Sequence, residues 1–393
     1  MLYAFLSVMP VFIIIFWLAL FFLDNNKTKA KRFLLIFLSV TLVNYLIHWY
    51  YFNNNYDTYY LLDSIWVFTS LSVYPLYYYY IRLLAKDLKV DPRYCWILLP
   101  AVLLALFSTI IYVMMSPQEI EVFSNEILYH NSPRSGNYST LIKLQLLRID
   151  AFKLVFTVEV ILTVFFGMRH IRCFNKKVMA FYSDTHHREL SNIRITLIFL
   201  FITAISSMVS NIIGKDFFVG NPYYLALPSI THSVVLFGIS YVGYRQSFSI
   251  RELTKDQLQP IDKSCCKKEE ENKDSTMGDK YDQLYERMVY LLEKEQIFKN
   301  ADLRLNDLAT KLCTNRTYVS QLINNRANSN FCDYINSYRI IYAKEELTSK
   351  ESSHLTLGEI ALKSGFSSQS SFYRLFMKFE GTTPAKYRAE QAK

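Results

Sequence analysis

The chain has 393 residues, of which 51% are hydrophobic and 16% aromatic, and its formal net charge is +9. Its mean hydropathy is positive, +0.11, which argues against a wholly soluble protein, and its length allows two or three domains. Most of the excess of basic over acidic residues lies in loops between apolar segments, so the charge alone does not indicate a nucleic-acid partner. The six cysteines show neither C-x-x-C spacing nor nearby histidine pairs, so we expect no metal site.

Apolar segments dominate residues 1–244, whereas residues 245–393 have an ordinary soluble composition. A helix of about 20 apolar residues is long enough to cross a bilayer. Seven segments meet this length: 2–23, 33–52, 61–83, 94–115, 149–168, 193–213 and 222–244. Residues 1–244 are therefore predicted to form a seven-span domain with the lipid bilayer as its partner.

The orientation of this domain follows from its loops. Basic residues are concentrated after the first, third and fifth segments, for example at Lys27, Lys29, Lys31 and Arg32. Because basic loops stay in the cytoplasm, the N-terminus is predicted to lie outside and the C-terminus inside. We therefore expect a multi-pass protein of a bacterial inner (cytoplasmic) membrane.

Two polar residues lie at membrane depth, Glu159 in the fifth segment and His232 in the seventh. Polar groups are costly there, so they indicate either a buried structural pair or a site that senses a ligand or protons. A Glu159–His232 pair would form if the two helices touch. The outer loop 116–148 fits a ligand lid and a plain connector equally well, and the sequence does not identify a ligand.

Residues 245–280 carry mixed charge without apolar periodicity and are predicted to be a flexible tether. Residues 281–300 return to helical periodicity and form a predicted connecting helix. Its apolar face, Leu284, Met288, Leu291 and Leu292, either packs on the next domain or pairs two chains.

A weak internal repeat follows in residues 301–393. Apolar positions recur about 52 residues apart: Leu305, Leu308, Ala309, Val319, Leu322 and Ile323 match Leu357, Ile360, Ala361, Phe372, Leu375 and Phe376. Two helices joined by a tight turn explain each half. In the second half, Thr356 and Glu359 form a capping box, and Gly365 supplies the left-handed turn conformation.

The second helix of each predicted unit has a small, polar outward face. These faces are Thr317, Ser320 and Gln321 in the first unit, and Gln369, Ser370 and Arg374 in the second. Gln pairs with adenine, Arg pairs with guanine, and Ser or Thr contacts several bases. A solvated helix face would explain one such unit, but two repeated units favour DNA binding.

The run GFSSQSSFYRLFMKF at residues 365–379, followed by Gly381, Pro384 and Tyr387, resembles the C-terminal signature of AraC-type transcription regulators. The resemblance implies recognition helices at about 316–325 and 368–379, which enter successive major grooves of double-stranded promoter DNA. It assigns base contacts to Thr317, Ser320, Gln321, Gln369, Ser370, Ser371 and Arg374, and phosphate contacts to Asn315, Arg316, Ser368 and Lys378. It leaves RNA polymerase and a second copy of the chain open as protein partners.

The order of the parts resembles the membrane-bound AraC-type regulators of Bacteroides-like bacteria. The first unit departs from the family pattern, because Arg304 replaces the usual capping Thr or Ser and 326–330 lacks the usual Gly. We therefore expect this unit to anchor phosphates more than it reads bases.

Enzyme motifs are missing from the sequence: it has no P-loop, dinucleotide Gly motif, H-E-x-x-H or nucleophile elbow. We predict an all-α protein without enzymatic activity or cofactor. The alternative is a membrane transporter or receptor whose helix-turn-helix tail acts through protein contacts.

Overall fold

The computed structural model describes residues 2–25, 28–52, 56–129, 136, 138–213, 217–218, 222–259 and 277–391. Over these ranges the chain forms helices and connections, with one isolated antiparallel bridge and no strand. The predicted all-α class is confirmed. The chain divides into two compact units, residues 1–173 with 190–251, and residues 174–189 with 252–393.

The first unit contains the long apolar helices. Their bounds are α1 Leu2–Leu23, α2 Lys29–Phe52, α3 Tyr56–Ala85, α4 Leu99–Met114, α5 Pro117–Val122, α6 Thr140–Met179, α7 Ser191–Ile213 and α8 Pro222–Arg245. A 3-10 helix, Pro92–Leu98, leads into α4, and a π-helical segment, Phe123–Tyr129, follows α5. The last residues of α6, from Phe174 onward, belong to the second unit.

Within the described residues, six helices are long and apolar enough to cross a membrane. The predicted segment 61–83 is not among them, although it lies within the 30-residue helix α3. Five tyrosines in the segment 61–83 lower its hydropathy: Tyr74, Tyr77, Tyr78, Tyr79 and Tyr80. The count of seven spans therefore stays a prediction.

A buried ion pair links α3 to α6. The Arg148 Nη2 atom lies 2.7 Å from the Asp63 Oδ2 atom, and both side chains are 2% exposed. Tyr112 of α4 donates to the same carboxylate oxygen at 2.9 Å, and Arg148 Nε donates to Gln145 at 3.0 Å. Burying two charges is costly unless such extra hydrogen bonds satisfy them, so this cluster holds α3, α4 and α6 together.

The described part of the predicted outer loop 116–148 is folded. Ser116 and Glu119 form a capping box at the start of α5. Phe123 and Ile127 pack in one hydrophobic cluster with Ile142 and with the end of α4.

The second unit consists of short helices. They are α9 Ile250–Gln257, which belongs to this unit from Glu252 onward, α10 Met277–Glu293, α11 Leu305–Lys311, α12 Arg316–Ala327, α13 Phe331–Thr348, α14 Leu357–Lys363, α15 Gln369–Glu380 and α16 Pro384–Gln391. The predicted connecting helix 281–300 corresponds to α10 and a 3-10 turn at Ile297–Lys299.

Helix α9 lies within the predicted tether 245–280. Its Leu253 side chain is fully buried, and the Gln257 carbonyl accepts a hydrogen bond from Arg316 at 2.6 Å. The flexible tether therefore does not include these residues, because an apolar side chain and backbone hydrogen bonds fix them. The charged run 267–274 lies outside the described residues.

The core of the second unit follows the predicted repeat. Leu308, Ala309, Val319, Leu322 and Ile323 are at most 1% exposed. Their counterparts in the second half pack against Ile340, Ala343 and Leu347 of α13 in one cluster. Helix α13 thus supplies the apolar surface on which the second half of the repeat packs.

The tight turns take left-handed conformations where the repeat requires them. Gly365 has φ +87°, and a Cβ atom there would lie 2.6 Å from the Phe298 carbonyl oxygen, so only glycine fits. Cys313 occupies the matching position with φ 54°. After α12, Asn328 has φ 46°, and after α15, Gly381 has φ 69°. Asn tolerates this conformation better than most residues, which explains how the first unit ends its helix without the expected Gly.

Candidate DNA-binding interface

Each candidate recognition helix, α12 or α15, begins at a side-chain cap. Asn315 Oδ1 accepts from the Tyr318 amide at 3.0 Å, and Ser368 Oγ accepts from the Ser371 amide at 3.2 Å. Both capping residues were predicted to contact phosphates. Their side chains instead satisfy the first free amides of the helices, which fixes where each helix starts.

The outward face of α15 carries three exposed polar residues, Gln369, Ser370 and Arg374. Ser371 was also predicted to contact bases, and this is wrong because its side chain is only 2% exposed. Ser371 shares a helix face with Leu375, four residues later, and its hydroxyl accepts from Ser368 at 3.1 Å. The face available to DNA on α15 is therefore Gln369, Ser370 and Arg374.

On α12, Thr317 and Gln321 are exposed and Ser320 is half-buried. The start of α10 contacts this face: the Tyr281 hydroxyl donates to Gln321 Oε1 at 3.2 Å. The Tyr281 ring also meets the Tyr318 ring edge-on, with 5.9 Å between centroids. This contact was not predicted from the sequence, because only the apolar stripe of the connecting helix indicated a packing partner.

The two predicted phosphate-binding cations are both engaged within the second unit. Arg316 is half-buried and donates to the Gln257 carbonyl, as described above. Lys378 pairs with Asp333 at 2.6 Å, and its side chain remains 53% exposed. Lys378 can therefore reach a phosphate by exchanging one anionic partner for another, whereas Arg316 must first leave the end of α9.

Residues 174–189 join the second unit through backbone pairing, which the sequence did not reveal. The Leu305 amide donates to the Phe181 carbonyl at 2.9 Å, and the Ser183 amide donates to the Leu303 carbonyl at 3.1 Å. Tyr182 and Arg304 form the isolated antiparallel bridge between these two contacts. We call residues 174–189 the docking loop. Phe181 and Tyr182, both 1% exposed, are the only hint that the sequence offers, because aromatic residues are unusual in an exposed loop.

Arg339 of α13 fixes the docking loop from inside. Its side chain is 1% exposed. The guanidinium donates to the Ser183 hydroxyl at 2.9 Å, the Asn300 carbonyl at 2.7 Å and the Phe298 carbonyl at 2.8 Å. Burial lowers the pKa of Arg339 to about 10, so it remains charged at neutral pH. A buried charge needs every donor matched, and these oxygen atoms supply the partners.

The Ser183 carbonyl has further partners on α13. Asn336 donates to it at 3.0 Å, and the Cys332 thiol lies 3.4 Å from it. Burial raises the pKa of Cys332 to about 12, so the thiol keeps its proton and acts as the donor. Thus α13 holds this one carbonyl group through two further side chains.

The docking loop also reaches the start of the second recognition helix. The Ser367 hydroxyl, one residue before the α15 cap, donates to the Asp184 carboxylate. Burial, the neighbouring His187 and the positive charge of Arg374 lower the pKa of His186. The loop therefore lies beside the helix that presents Gln369 and Arg374.

The predicted Glu159–His232 pair is not formed. His232 Nδ1 lies 2.6 Å from the Pro228 carbonyl, and its Nε2 lies 3.0 Å from the Ser207 hydroxyl. Glu159 is 8% exposed, and its carboxylate has no hydrogen-bond partner among the described residues. Both belong to the first unit, and their predicted sensing role stays a prediction.

Comparison with known proteins places the similarity in the second unit. The family model described as a helix-turn-helix domain matches residues 308–390. The chain is 31% identical over 93 residues to the probable transcription factor PqrA of Proteus vulgaris, covering 24% of this chain and 74% of that protein. It is 27% identical over 111 residues to YtdP, an uncharacterized HTH-type transcriptional regulator of Bacillus subtilis, covering 28% of this chain but 14% of that protein.

A solved structure, a protein of unknown function from Listeria innocua, is 32% identical and covers 29% of this chain and 97% of that chain. Its TM-score of 0.23 is too low to compare the folds. The family model thus matches the second unit, and the chain spans only a small part of the Bacillus protein.

Proposed function

Because the C-terminal part of this chain belongs to the AraC-type family of helix-turn-helix regulators, we propose that the protein is a membrane-embedded regulator that couples a membrane or external signal to promoter binding. The observation that carries DNA binding is the outward face of α15, where Gln369, Ser370 and Arg374 are exposed together. Side chains of these types hydrogen-bond to base edges in the major groove. The relatives' names, a probable transcription factor and HTH-type transcriptional regulators, support the same function.

Membrane embedding is supported by the surface of the first unit. Large apolar side chains stand exposed on several of its helices, among them Val113 at 80% and Leu227 at 76%. A soluble protein rarely exposes so much contiguous apolar surface, whereas lipid would cover it. The basic loops favour a cytoplasmic C-terminus, which puts the DNA-binding unit on the side where bacterial DNA lies.

Signal coupling is supported by the docking loop. In the chain this loop includes the last residues of α6 and ends just before α7, and both helices are apolar enough to span a membrane. The loop is also part of the DNA-binding unit through Ser183 and Asp184. A change at the ends of α6 or α7 would therefore act on residues that hold α13 and the start of α15. In this proposal the signal biases two arrangements of the DNA-binding unit.

DNA binding is tested with the full chain in lipid nanodiscs and a pool of randomised duplexes. We expect an enriched motif with two half-sites about one helical turn apart, because two recognition helices enter successive major grooves. Contact with about six phosphates gives a log–log salt slope near −5. A slope near zero without enrichment would contradict DNA binding and favour a tail that acts on other proteins.

Topology is tested separately with reporter fusions. Fusions after Asn55, Asn131 and Gly220 should report an external position, and fusions after Lys89 and Arg251 a cytoplasmic one. A C-terminus on the outside would rule out promoter binding by the intact protein.

A further inference from the structure

The first unit contains a partly open cavity of about 290 Å³. Residues from α1, α2, α3, α6, α7 and α8 line it, and most are aromatic or aliphatic, such as Tyr74, Phe156 and Leu236. This volume lies near the lower end of the range for small-molecule sites, which are mostly apolar with a few polar groups. The cavity therefore has the size and lining of a ligand site.

Several polar side chains of the lining are neighbours that contact one another through ring contacts or hydrogen bonds. Tyr45 lies between two histidines, with 6.0 Å from its ring centroid to that of His48 and 6.0 Å to that of His232. His48 accepts from the Trp66 indole at 3.0 Å, and His232 is bound by Ser207 at 3.0 Å. All five residues line the cavity. A ligand would thus meet its hydrogen-bonding partners along one side.

The hydrogen bonds show that the His48 ring is uncharged, and they are compatible with an uncharged His232 ring. The Pro228 carbonyl can only accept, so His232 Nδ1 carries the proton, and its Nε2 pairs with the Ser207 hydroxyl, which can donate to a neutral ring. The Trp66 indole can only donate, so His48 Nε2 carries no proton. An uncharged His48 suits a neutral ligand, because a charged group in this apolar surrounding would need an opposite charge.

Asn44 adds an acceptor to the same lining. Its amide nitrogen donates to Thr69 at 3.0 Å and to Ser70 at 2.7 Å, which leaves the side-chain oxygen to accept. Lys153 also lines the cavity, and its positive charge would favour an anionic ligand over a neutral one. The arrangement otherwise presents hydroxyl, amide and imidazole groups to a ligand.

We propose that this cavity binds an uncharged, amphiphilic small molecule, with an aromatic or aliphatic body and a polar end that hydrogen-bonds beside Tyr45 and the two histidines. This proposal adds the chemical class of the signal to the proposed function. It rests on the proposed function in one respect, because the ligand would enter from the membrane in which the first unit is embedded. Ligand binding can be measured without DNA, so it can fail or succeed independently of promoter binding.

The experiment uses the full chain in lipid nanodiscs and the neutral fluorophore N-phenyl-naphthylamine, with empty nanodiscs as the background. We expect a saturable, one-to-one component above that background. Ser207→Phe fills the cavity and should weaken binding at least about tenfold. Val209→Phe inserts the same side chain two residues away on α7, at a position 47% exposed, and should bind as the wild type does.

A second variant guards against misfolding of Ser207→Phe. Tyr45→Phe keeps the ring and removes the hydroxyl, so we expect it to weaken binding by about three- to tenfold, the net effect of one hydrogen bond. Anilinonaphthalene sulfonate, the matched anionic probe, should bind more weakly than the neutral one. No saturable component in the wild type, equal loss in the Val209→Phe variant, or tighter binding of the anion would each overturn the proposal.

Discussion

Arg339 donates to both oxygen atoms of Ser183, to the hydroxyl at 2.9 Å and to the carbonyl at 3.5 Å, although 156 positions separate the two residues. One buried guanidinium therefore joins the central helix of the DNA-binding unit to the docking loop. The remaining donors of Arg339 are taken by carbonyls of the segment 298–301 and by Asn336. Removing either partner leaves buried polar groups without hydrogen bonds.

Arg339→Ala should destabilise the DNA-binding unit by about 3 kcal/mol or more, because several buried carbonyls lose their donor at once. Hydrogen exchange of the full chain should show faster exchange of the amides in 298–305 and of Ser183. Arg326→Ala is the matched control, since Arg326 is 48% exposed at its side chain. Equal protection in both variants would mean that Arg339 does not hold the loop.

A 281–393 fragment lacks the docking loop and α9, so it should be less stable than the complete unit. A synthetic peptide of residues 174–189 should raise its melting temperature in a saturable way, because a partner that binds only the folded form stabilises it. The same peptide with Ser183→Pro cannot donate the Ser183 amide to Leu303 and should have a much smaller effect. If both peptides act alike, specific docking of the loop is disproved.

Arg374→Ala should cost about 1–3 kcal/mol at the specific site and relax the preference at one or two base pairs, because Arg374 stands exposed on the reading face of α15. Lys378→Ala should weaken specific and random DNA about equally and make the salt slope shallower by about one. Competition binding on a randomised site measures both variants together. If Arg374→Ala weakens all sequences by one factor, α15 does not read bases through this residue.

Tyr281→Phe should increase affinity or sharpen base preference at the half-site contacted by α12. The substitution removes the hydroxyl that donates to Gln321, so the amide of Gln321 becomes available to a base. Tyr290→Phe, on the same helix and 58% exposed, is the control. A footprint that is identical for both variants would show that α10 does not restrain the first recognition helix.

The second unit was largely predictable, because its signals are local. The capping box at Thr356, the turn at Gly365 and the apolar positions of both repeats all depend on neighbours within a few residues. Ser371 was assigned wrongly, since it lies at the start of α15, where capping turns its hydroxyl inward. A family resemblance assigns roles to positions in the sequence, but it does not give the direction in which each side chain points.

The docking loop could not be predicted, because its partners lie more than a hundred residues away in the sequence. Its main contacts involve the backbone of Phe181 and Ser183. Every residue has the same backbone carbonyl, so the residue type gives no sign of such a contact. The same limit applies to Glu159 and His232, whose pairing depended on how two distant helices approach each other. In α3, tyrosines lower the hydropathy that a count of spans relies on.

The position of the docking loop also sets the time at which the protein can finish folding. A ribosome adds about 5–20 residues per second, so Ser183 is made roughly 10–30 s before Arg339. Until then α13, whose side chains bind the loop, has not been made. Bringing the loop and α13 together closes a long segment of chain, and the conformational entropy lost in this closure slows folding. The docking loop therefore stays without its main side-chain partners until α13 has been synthesised and has left the ribosome.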